Sequence, residues 1–342
     1  MRYYSLNDYC KKTFGEKVYK LSLNAGMTCP NRDGSLSYTG CFYCSEGGSG
    51  DFASDSSLPI AAQLSEARRR LSSKTDCRKF IAYFQAFTNT YAPVEYLEKI
   101  FYEAISDPSV CVLSIGTRTD CFNDEIYDLL SRLNNIKPVW IELGLQSIHQ
   151  STLDAMNTHT KVSDFTVVCN ELNKRSIKVI AHLILGLPGE DEADVAETIR
   201  QIEALSPDSL TVHSLAIKRA SRLRRYMDEH QVFSIHNTDE TMRIAAEGAR
   251  TLSMQPYYLY RQKNMSGNFE NVGYARDGKY GIYNILIMEE LQTIVALGAG
   301  SITKRVFPDG RIERCDNVKD VALYIEKIDE MMERKQKLFA EE

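Results

Sequence analysis

Short apolar runs alternate with longer stretches of helical period over the first two thirds of the chain. Six runs are rich in β-branched or aromatic residues, as strands are, and span residues 18–23, 80–87, 111–116, 139–145, 179–186 and 210–216. The stretches between them have the apolar spacing of amphipathic helices, at 61–71, 94–105, 124–133, 163–174 and 192–205. Strands that alternate with helices are typical of a parallel sheet with crossover connections.

The number of strand–helix units indicates an incomplete barrel. Six units in about 200 residues are fewer than the eight of a closed barrel, which takes about 250 residues. We predict an α/β fold in which residues 1–217 form a partial (β/α)6 barrel with an open side. Chemistry in such sheets lies at the carboxyl ends of the strands. Those ends carry unusual polar residues here, at 24–44, 85–91, 117–120, 146–149 and 187–190.

The alternation ends after Lys218. A basic run at 218–225 is followed by a stretch of helical period at 238–252 and an aromatic run at 256–264. Two short strand-like pieces and a last helix complete the pattern. We predict that residues 218–342 form a C-terminal α+β region that recognises the substrate.

Composition and charge place the chain among globular proteins without a membrane span. Of 342 residues, 43% are hydrophobic and 25% are charged, which excludes a disordered or collagen-like chain. The longest apolar runs fall far short of the ~20 residues of a membrane helix. A net charge of −5 gives no overall attraction to nucleic acid or anionic lipid. The amino-terminal residues do not resemble a signal peptide, so we expect a reducing, cytoplasmic location.

Three of the nine cysteines stand close together in a loop after the first predicted strand. Cys29, Cys41 and Cys44 have the spacing C-x11-C-x2-C, within a stretch rich in Gly, Asn and Asp. A structural zinc site usually has four protein ligands, for which Cys10 is a candidate fourth. Three thiolates on a cubane iron–sulfur cluster instead leave one iron open to an exogenous ligand. The spacing alone is compatible with either site and with thiols that only pack.

The residues around these cysteines favour the iron–sulfur cluster over zinc and over thiols that only pack. Tyr43 makes the last pair a C-x-aromatic-C motif, and the loop leaves the first strand of a six-unit β/α pattern. In these features the chain resembles the radical S-adenosylmethionine (SAM) superfamily. The resemblance implies that Cys29, Cys41 and Cys44 bind a 4Fe–4S cluster whose fourth iron is chelated by SAM. It also implies reductive cleavage of SAM to a 5′-deoxyadenosyl radical, fed by an electron donor such as flavodoxin or ferredoxin.

The same resemblance implies SAM contacts at the strand ends. Glu142, in WIELGLQS, is expected at the SAM ribose, and the alternative is a structural ion pair. HLILGLPGE resembles the motif that lies against adenine. Gln85 is expected at the methionine amine and Arg118 at its carboxylate, and the alternative for each is a buried polar strand end. The full set of expected SAM contacts is Tyr43, Gln85, Arg118, Glu142, Gln146, Ile184, Gly186 and Glu190.

The two parts of the chain resemble different subfamilies of this superfamily. Residues 1–185, with CPNRDG, GCFYC, YFQAFTNTYA and SIGTRTD, resemble the YhcC/YtqA type, associated in some bacteria with modifying the wobble uridine of transfer RNA (tRNA). Residues 186–342, with PYYLYRQKNMSGNFENVGYA, resemble HemZ-type oxygen-independent coproporphyrinogen dehydrogenases, although those relatives use C-x3-C-x2-C. The implied substrate is a tRNA wobble-uridine side chain or a tetrapyrrole propionate. A further alternative is a non-catalytic haem-binding or chaperone relative that retains the cluster.

Candidate substrate contacts come from the basic and aromatic runs. Arginine pairs bidentately with carboxylate or phosphate, so the basic run suits propionates or an RNA backbone, and the alternative is a solvated helix face. Aromatic side chains stack on a flat macrocycle or an unpaired base, although such side chains are more often core. His213 is a candidate proton relay, and the alternative is a core histidine. The candidate substrate residues are Lys218, Arg219, Arg222, Arg224, Arg225, Tyr260 and Arg261.

Overall fold

The computed structural model describes residues 18–48, 53–72, 77–217, 222–230, 235–260, 265–276, 298–306, 312–318 and 320–340. The chain divides into two compact units, Met1–Leu286 and Ile287–Glu342. The described part of the first unit holds a large sheet, its helices and the loop with the three clustered cysteines. The described part of the second holds a two-stranded sheet and two helices.

One eight-stranded sheet forms the centre of the first unit. Its strands are β1 (Val18–Leu23), β2 (Lys79–Phe84), β3 (Val110–Arg118), β4 (Val139–Gln146), β5 (Lys178–Leu185), β6 (Ser209–Ser214), β7 (Gln255–Tyr260) and β8 (Asn271–Ala275). Their order in the sheet is β1-β2-β3-β4-β5-β6-β8-β7. Strands β1 to β6 pair in parallel, whereas β8 runs antiparallel to both β6 and β7. The predicted partial (β/α)6 barrel is confirmed.

Helices connect the parallel strands, as the alternating pattern predicts. They are α1 (Ile60–Ser72), α2 (Val94–Ser106), α3 (Asp124–Asn134), α4 (Gln150–Ala155), α5 (Val162–Lys174) and α6 (Glu192–Leu205), and two further helices, α7 (Arg222–His230) and α8 (Asp239–Thr251), follow β6. Because helices cover one face of the parallel strands and the barrel interior covers the other, these strands are buried on both faces. A polar side chain within such a strand therefore needs a partner inside the barrel.

Side-chain caps begin two of the helices that follow strand ends. The Asn123 side chain accepts a hydrogen bond from Ile126 N at 2.9 Å and so caps α3. Asp191 and Asp194 form a capping box at the start of α6. Caps of this kind satisfy amide groups that the first helical turn leaves without partners. They fix the loops after β3 and β5, which carry predicted site residues.

The first unit continues beyond the predicted barrel boundary at residue 217. Strands β7 and β8 extend the barrel sheet at the edge formed by β6. Helix α8 packs against α6 so closely that a Cβ at Gly248 would lie 2.0 Å from Ile199 Cγ2. The compact unit therefore includes the described residues up to 276. A role of residues 218–342 in substrate recognition stays a prediction.

The described part of the second unit is a small α+β assembly. Its elements are β9 (Ile302–Val306), β10 (Ile312–Asp316), α9 (Val321–Glu326) and α10 (Ile328–Ala340). The two strands pair antiparallel. Cys315, Met331 and Leu338 are buried in it. In neither unit is any described helix both long and apolar enough to span a bilayer.

Candidate functional site

A cavity of about 340 Å³ opens at the carboxyl ends of the parallel strands. The loop after β1 and the ends of β2 to β6 supply its walls. Parallel strands all end at the same edge of the barrel, so residues far apart in the sequence meet there. Among the residues that the sequence singles out, the cavity brings together Cys29, Cys41, Tyr43, Cys44, Gln85, Arg118, Glu142, Gln146, Ile184 and His213.

The cysteine loop, residues 29–44, is built from tight turns. Arg32 N donates to Cys29 O at 2.8 Å, and Cys44 N donates to Cys41 O at 3.1 Å. Gly40 has a φ of +72°, a conformation that glycine adopts without strain. A Cβ at Gly40 would also lie 2.9 Å from Arg32 Nε. The glycine before Cys41 therefore lets the loop close around that cysteine.

A segment after α4, which we call the clamp segment (residues 156–160), holds the cysteine loop from one side. Asn157 Nδ2 donates to Gly40 O and to Thr39 Oγ1, both at 2.9 Å. In the other direction, Asn31 Nδ2 donates to Asn157 O at 2.6 Å. Hydrogen bonds donated in both directions between the two segments thus order the cysteine loop. The sequence pattern did not single out Asn157, because its partners lie more than a hundred residues away in the chain.

The three thiols of the loop line the cavity without converging on one point. In the part of the chain that the structure describes, no group of three or more His, Cys, Asp or Glu side chains is placed to hold a single metal ion. A tetrahedral zinc ion needs every ligand within about 2.3 Å. A cubane cluster takes each thiolate on a different iron atom, so thiols spread around a cavity suit it better.

The surroundings of Cys41 disfavour its thiolate form. Burial raises the pKa of Cys41, and the neighbouring Cys44 raises it further. Arg118 and hydrogen bonds from Asn31 and Tyr43 act in the opposite direction without overcoming burial. Because only the thiolate binds metal, a cationic metal centre is needed to complete the deprotonation. The donor set and its surroundings therefore fit an iron–sulfur cluster.

Six polar side chains, one from each parallel strand, lie together in the barrel interior beside the cavity. Glu142 lies at the centre of this group. Glu142 Oε1 accepts from Lys20 Nζ at 2.5 Å and from Ser114 Oγ at 2.8 Å, and Oε2 accepts from the Tyr83 hydroxyl at 2.9 Å. The Lys20 ammonium also lies 3.0 Å from the centroid of the Tyr83 ring. We call these residues the interior polar chain: Lys20, Tyr83, Ser114, Glu142, His182 and His213.

The ion pair in the interior polar chain is buried. The side chains of Lys20 and Glu142 are only 3% and 8% exposed. Burial alone would raise the pKa of Glu142, but Lys20 and His182 outweigh it and hold that pKa well below its ordinary value. Burial lowers the pKa of Lys20 to about 8, against the attraction of Glu142. The Glu142 carboxylate faces the cavity and already accepts bonds from protein donors, so its contact with the SAM ribose stays a prediction.

Two histidines complete the interior polar chain. His182 Nδ1 and His213 Nε2 are 3.0 Å apart, and His182 Nε2 lies 3.5 Å from Glu142 Oε2. Burial, together with the charge of His182 and against the attraction of Glu142, lowers the pKa of His213 to about 3. His213 is therefore neutral near pH 7. Both rings line the cavity, so the proton relay proposed for His213 stays a prediction with His182 as its neighbour.

We expect His213 to make the protein less stable in acid. The folded state keeps this ring neutral down to about pH 3, whereas the unfolded chain protonates it near pH 6.5. The unfolded state therefore binds more protons between these values, and stability falls as pH decreases through that window. The slope from one such group is at most about 1.4 kcal/mol per pH unit. Urea unfolding of the wild type and His213→Gln at a series of pH values tests this, and parallel curves for the two proteins contradict it.

Three of the expected SAM contacts, Gln85, Arg118 and Gln146, lie at the ends of β2, β3 and β4. Arg118 Nε and Nη2 donate to the Asp120 carboxylate at 2.9 and 2.7 Å, and Nη2 also donates to Thr158 O at 2.9 Å. Gln85 lines the same cavity. Gln146 has a φ of +71°, a strained conformation of the kind found at binding sites. SAM contacts for all three side chains stay predictions.

Only part of the motif HLILGLPGE, at the end of β5, lines the cavity. Ile184 lines the cavity, whereas Gly186 and Glu190 are not among its described lining residues. A Cβ at Gly186 would lie 2.7 Å from Ser266 Oγ, so this glycine admits a neighbouring protein segment. The Glu190 carboxylate accepts a hydrogen bond from Ser147, and burial raises its pKa. Adenine contacts at Gly186 and Glu190 therefore have less support than the contact at Ile184.

The candidate substrate residues are only partly described. Arg222, Arg224 and Arg225 lie on α7 and are exposed. Arg224 Nε lies 3.2 Å from the Asp228 carboxylate, as in a solvated helix face. Tyr260 ends strand β7. The remaining candidates, Lys218, Arg219 and Arg261, lie outside the described residues.

The match to a known family agrees with this site. Residues 28–202 match the family model described as the Radical SAM superfamily, and the chain belongs to that superfamily. The match includes all three loop cysteines and most of the barrel. The predicted cofactors, a 4Fe–4S cluster and SAM, are those of the family and are confirmed at that level.

Individual relatives match both subfamilies that the sequence resembles, but each match is longer than the part of the chain assigned to it, so the two resemblances overlap instead of dividing at residue 185. YtqA of Bacillus subtilis is 36% identical over 238 residues, which cover 70% of this chain and 74% of YtqA. HemZ of the same species, an oxygen-independent coproporphyrinogen-III oxidase-like protein, is 34% identical over 268 residues, covering 76% of this chain and 53% of HemZ. The structure of coproporphyrinogen III oxidase (HemN) from Escherichia coli is similar with a TM-score of 0.51 at 12% identity, covering 92% of this chain and 69% of HemN. The last likeness concerns the fold alone.

Proposed function

We propose that this chain is an enzyme that reductively cleaves SAM at a 4Fe–4S cluster on Cys29, Cys41 and Cys44. It then removes a hydrogen atom from a substrate beside the cavity. The observation that carries the proposal is the meeting of the three thiols with Gln85 and Arg118 around one cavity of about 340 Å³. When bound there, the cluster and SAM supply one-electron cleavage of the sulfonium and hydrogen abstraction.

The chain's own residues hold and orient these groups. Gln85 accepts from the methionine amine, Arg118 donates to the methionine carboxylate, and Gln146 or Glu142 accepts from the ribose hydroxyls. Ile184 packs against the adenine. The Ile184 side chain excludes water from that part of the cavity, which protects reactive intermediates from side reactions. Tyr43 fixes the loop at Cys41, where it hydrogen-bonds the thiol.

A second pocket supports a nucleobase as the substrate. This pocket, of about 470 Å³, lies at the ends of β2 and β3 and is lined by Tyr91, Phe122, Asn123 and Asp120 among others. Its wall adjoins the cavity, since Thr90 Oγ1 in the pocket lies 2.6 Å from Thr117 Oγ1 in the cavity. The described lining has aromatic and carboxylate groups without Lys or Arg.

Those groups suit a flat neutral ring that donates N–H bonds, such as the uracil base of a tRNA wobble nucleotide. The exposed arginines of α7 suit the RNA backbone. A propionate-bearing tetrapyrrole would place anions against Asp120, which is unfavourable. Coproporphyrinogen stays the second candidate, because the similarity to HemZ extends over 76% of this chain. A cluster-bearing haem chaperone without turnover is the third.

We also propose a cytoplasmic location, with flavodoxin or ferredoxin as the electron donor. No disulfide joins Cys29, Cys41, Cys44, Cys111, Cys121, Cys169 or Cys315, which suits a reducing compartment. The thiolate ligands of a 4Fe–4S cluster also need such a compartment, because thiolates are open to oxidation.

An anaerobic assay tests the proposed function. The reconstituted protein is incubated with SAM and dithionite, and with either hypomodified tRNA or coproporphyrinogen III. We expect 5′-deoxyadenosine to form, to increase with tRNA, and to be accompanied by a mass change in one nucleoside. A mass change in coproporphyrinogen instead selects the second candidate. A cluster that binds haem and yields no 5′-deoxyadenosine selects the third.

A further inference from the structure

The Arg118 guanidinium places a buried positive charge beside the cysteine loop. The Arg118 guanidinium lines the same cavity as the three thiols and interacts with the charges of Cys29 and Cys41. The Arg118 side chain is only 13% exposed, so water screens its charge weakly. An Asn31 N–H also points at Cys41, with Nδ2 at 3.4 Å from Sγ. These groups favour negative charge at this corner of the loop.

The Arg118 guanidinium is held in a fixed place. Two bonds join it to Asp120, and a third joins it to Thr158 O in the clamp segment. Arg118 lines the cavity with the thiols, whereas Asp120 lines the neighbouring pocket. The positive member of the pair therefore shares the cavity with the thiols, and the negative member lines the adjoining pocket. Such a fixed pair acts on a charge in the cavity without moving when that charge changes.

We propose that the Arg118–Asp120 pair sets the reduction potential of the cluster, with Arg118 raising it and Asp120 lowering it. This inference rests on the proposed function, because it assumes the cluster on the three cysteines. Reduction transfers one electron from the external donor to the cluster and makes or breaks no bond, so the cluster gains one negative charge. A nearby cation stabilises that added charge and a nearby anion destabilises it. Because Arg118 lies nearer the thiols, its effect exceeds that of Asp120.

This role differs from the contact with the SAM carboxylate predicted for Arg118. A carboxylate ligand acts only when SAM is bound. An effect on the potential is present in the cluster-loaded protein without SAM. Measuring the resting potential in the absence of SAM therefore separates the two roles.

The experiment is a redox titration of anaerobically reconstituted protein without SAM, followed by electron paramagnetic resonance of the reduced cluster. The variants are Arg118→Gln, Asp120→Asn, the double variant, and Arg118→Lys, which retains the charge. Arg132→Gln is the matched control, since Arg132 pairs with Glu98 at the surface and the two side chains are 49% and 41% exposed. Iron and sulfide content is measured for each protein, so that loss of the cluster is distinguished from a change in its potential.

We expect the midpoint potential to become more negative in Arg118→Gln and less negative in Asp120→Asn. The double variant and Arg118→Lys should lie between these two, and the control should match the wild type. Unchanged potentials in both single variants, or shifts of the same sign, overturn the inference while leaving the cluster itself established. If the wild type takes up no iron and sulfide, the proposed function fails instead. Should Arg118→Gln fail to fold, the direction of the shift in Asp120→Asn still decides the matter.

Discussion

Replacing Cys29, Cys41 or Cys44 singly with alanine is expected to abolish the visible charge-transfer absorption of the anaerobically reconstituted protein. Each thiol lines the cavity, and a cluster with three protein ligands has no spare thiolate to replace a lost one. Iron content should fall with the absorption in all three variants. Both are measured on protein reconstituted with iron and sulfide under identical conditions.

Cys111→Ala is the matched control for the loss of one thiol. Cys111 lies in β3, where its Sγ donates to Phe80 O at 3.3 Å. Burial raises its pKa to about 12, so it stays a neutral thiol. This variant should keep the wild-type absorption and iron content. A wild type that shows no such absorption and binds zinc tightly contradicts both the cluster and the proposed function.

Removing the ammonium of Lys20 is expected to produce the largest loss of stability in the barrel. Lys20→Met leaves the Glu142 carboxylate buried beside only Tyr83, Ser114 and His182. An unpaired buried charge of this kind costs about 3–5 kcal/mol of unfolding free energy. Denaturant unfolding of wild type and variant at neutral pH measures the difference.

A second pair of variants distinguishes the buried charge from a simple loss of packing. The double variant Lys20→Met with Glu142→Leu removes both charges and should recover most of the lost stability, because apolar replacements of buried ion pairs are often neutral. Arg243→Met, which breaks surface pairs with Glu240 and Glu247, should cost no more than about 1 kcal/mol. A Lys20→Met loss as small as that of the surface variant contradicts the importance assigned to the buried pair.

Local patterns predicted the features that depend on neighbouring residues. The 3.6-residue and strand periods predicted the barrel helices and strands, because each element shows its buried face in its own sequence. The spacing of Cys29, Cys41 and Cys44, together with the β/α pattern around them, predicted the cysteine loop as a cluster site, because these three residues lie close together in the sequence. The helix predicted at 238–252 corresponds to α8 at Asp239–Thr251.

Features that depend on distant partners were not predictable from local patterns. In VYKLSL, Lys20 looks like an outward-facing polar residue, and only Glu142, 122 positions away, explains its inward position. Gly186 looks like a glycine for ligand approach, but Ser266 occupies the space beside it. The aromatic run at 256–264 predicts stacking or core side chains, but the addition of its strand β7 to the β6 edge through β8 is a tertiary pairing.

The clamp segment has a consequence for how a cluster binds. The cysteine loop is tied down by Asn157 and by the bond from Phe42 N to Met156 O at 3.1 Å, neither of which involves a thiol. Part of the conformational entropy of ordering this loop is therefore lost on folding through bonds that do not depend on the thiols. A loop held in this way is preorganised for its ligand, so that binding a cluster has less ordering entropy left to overcome.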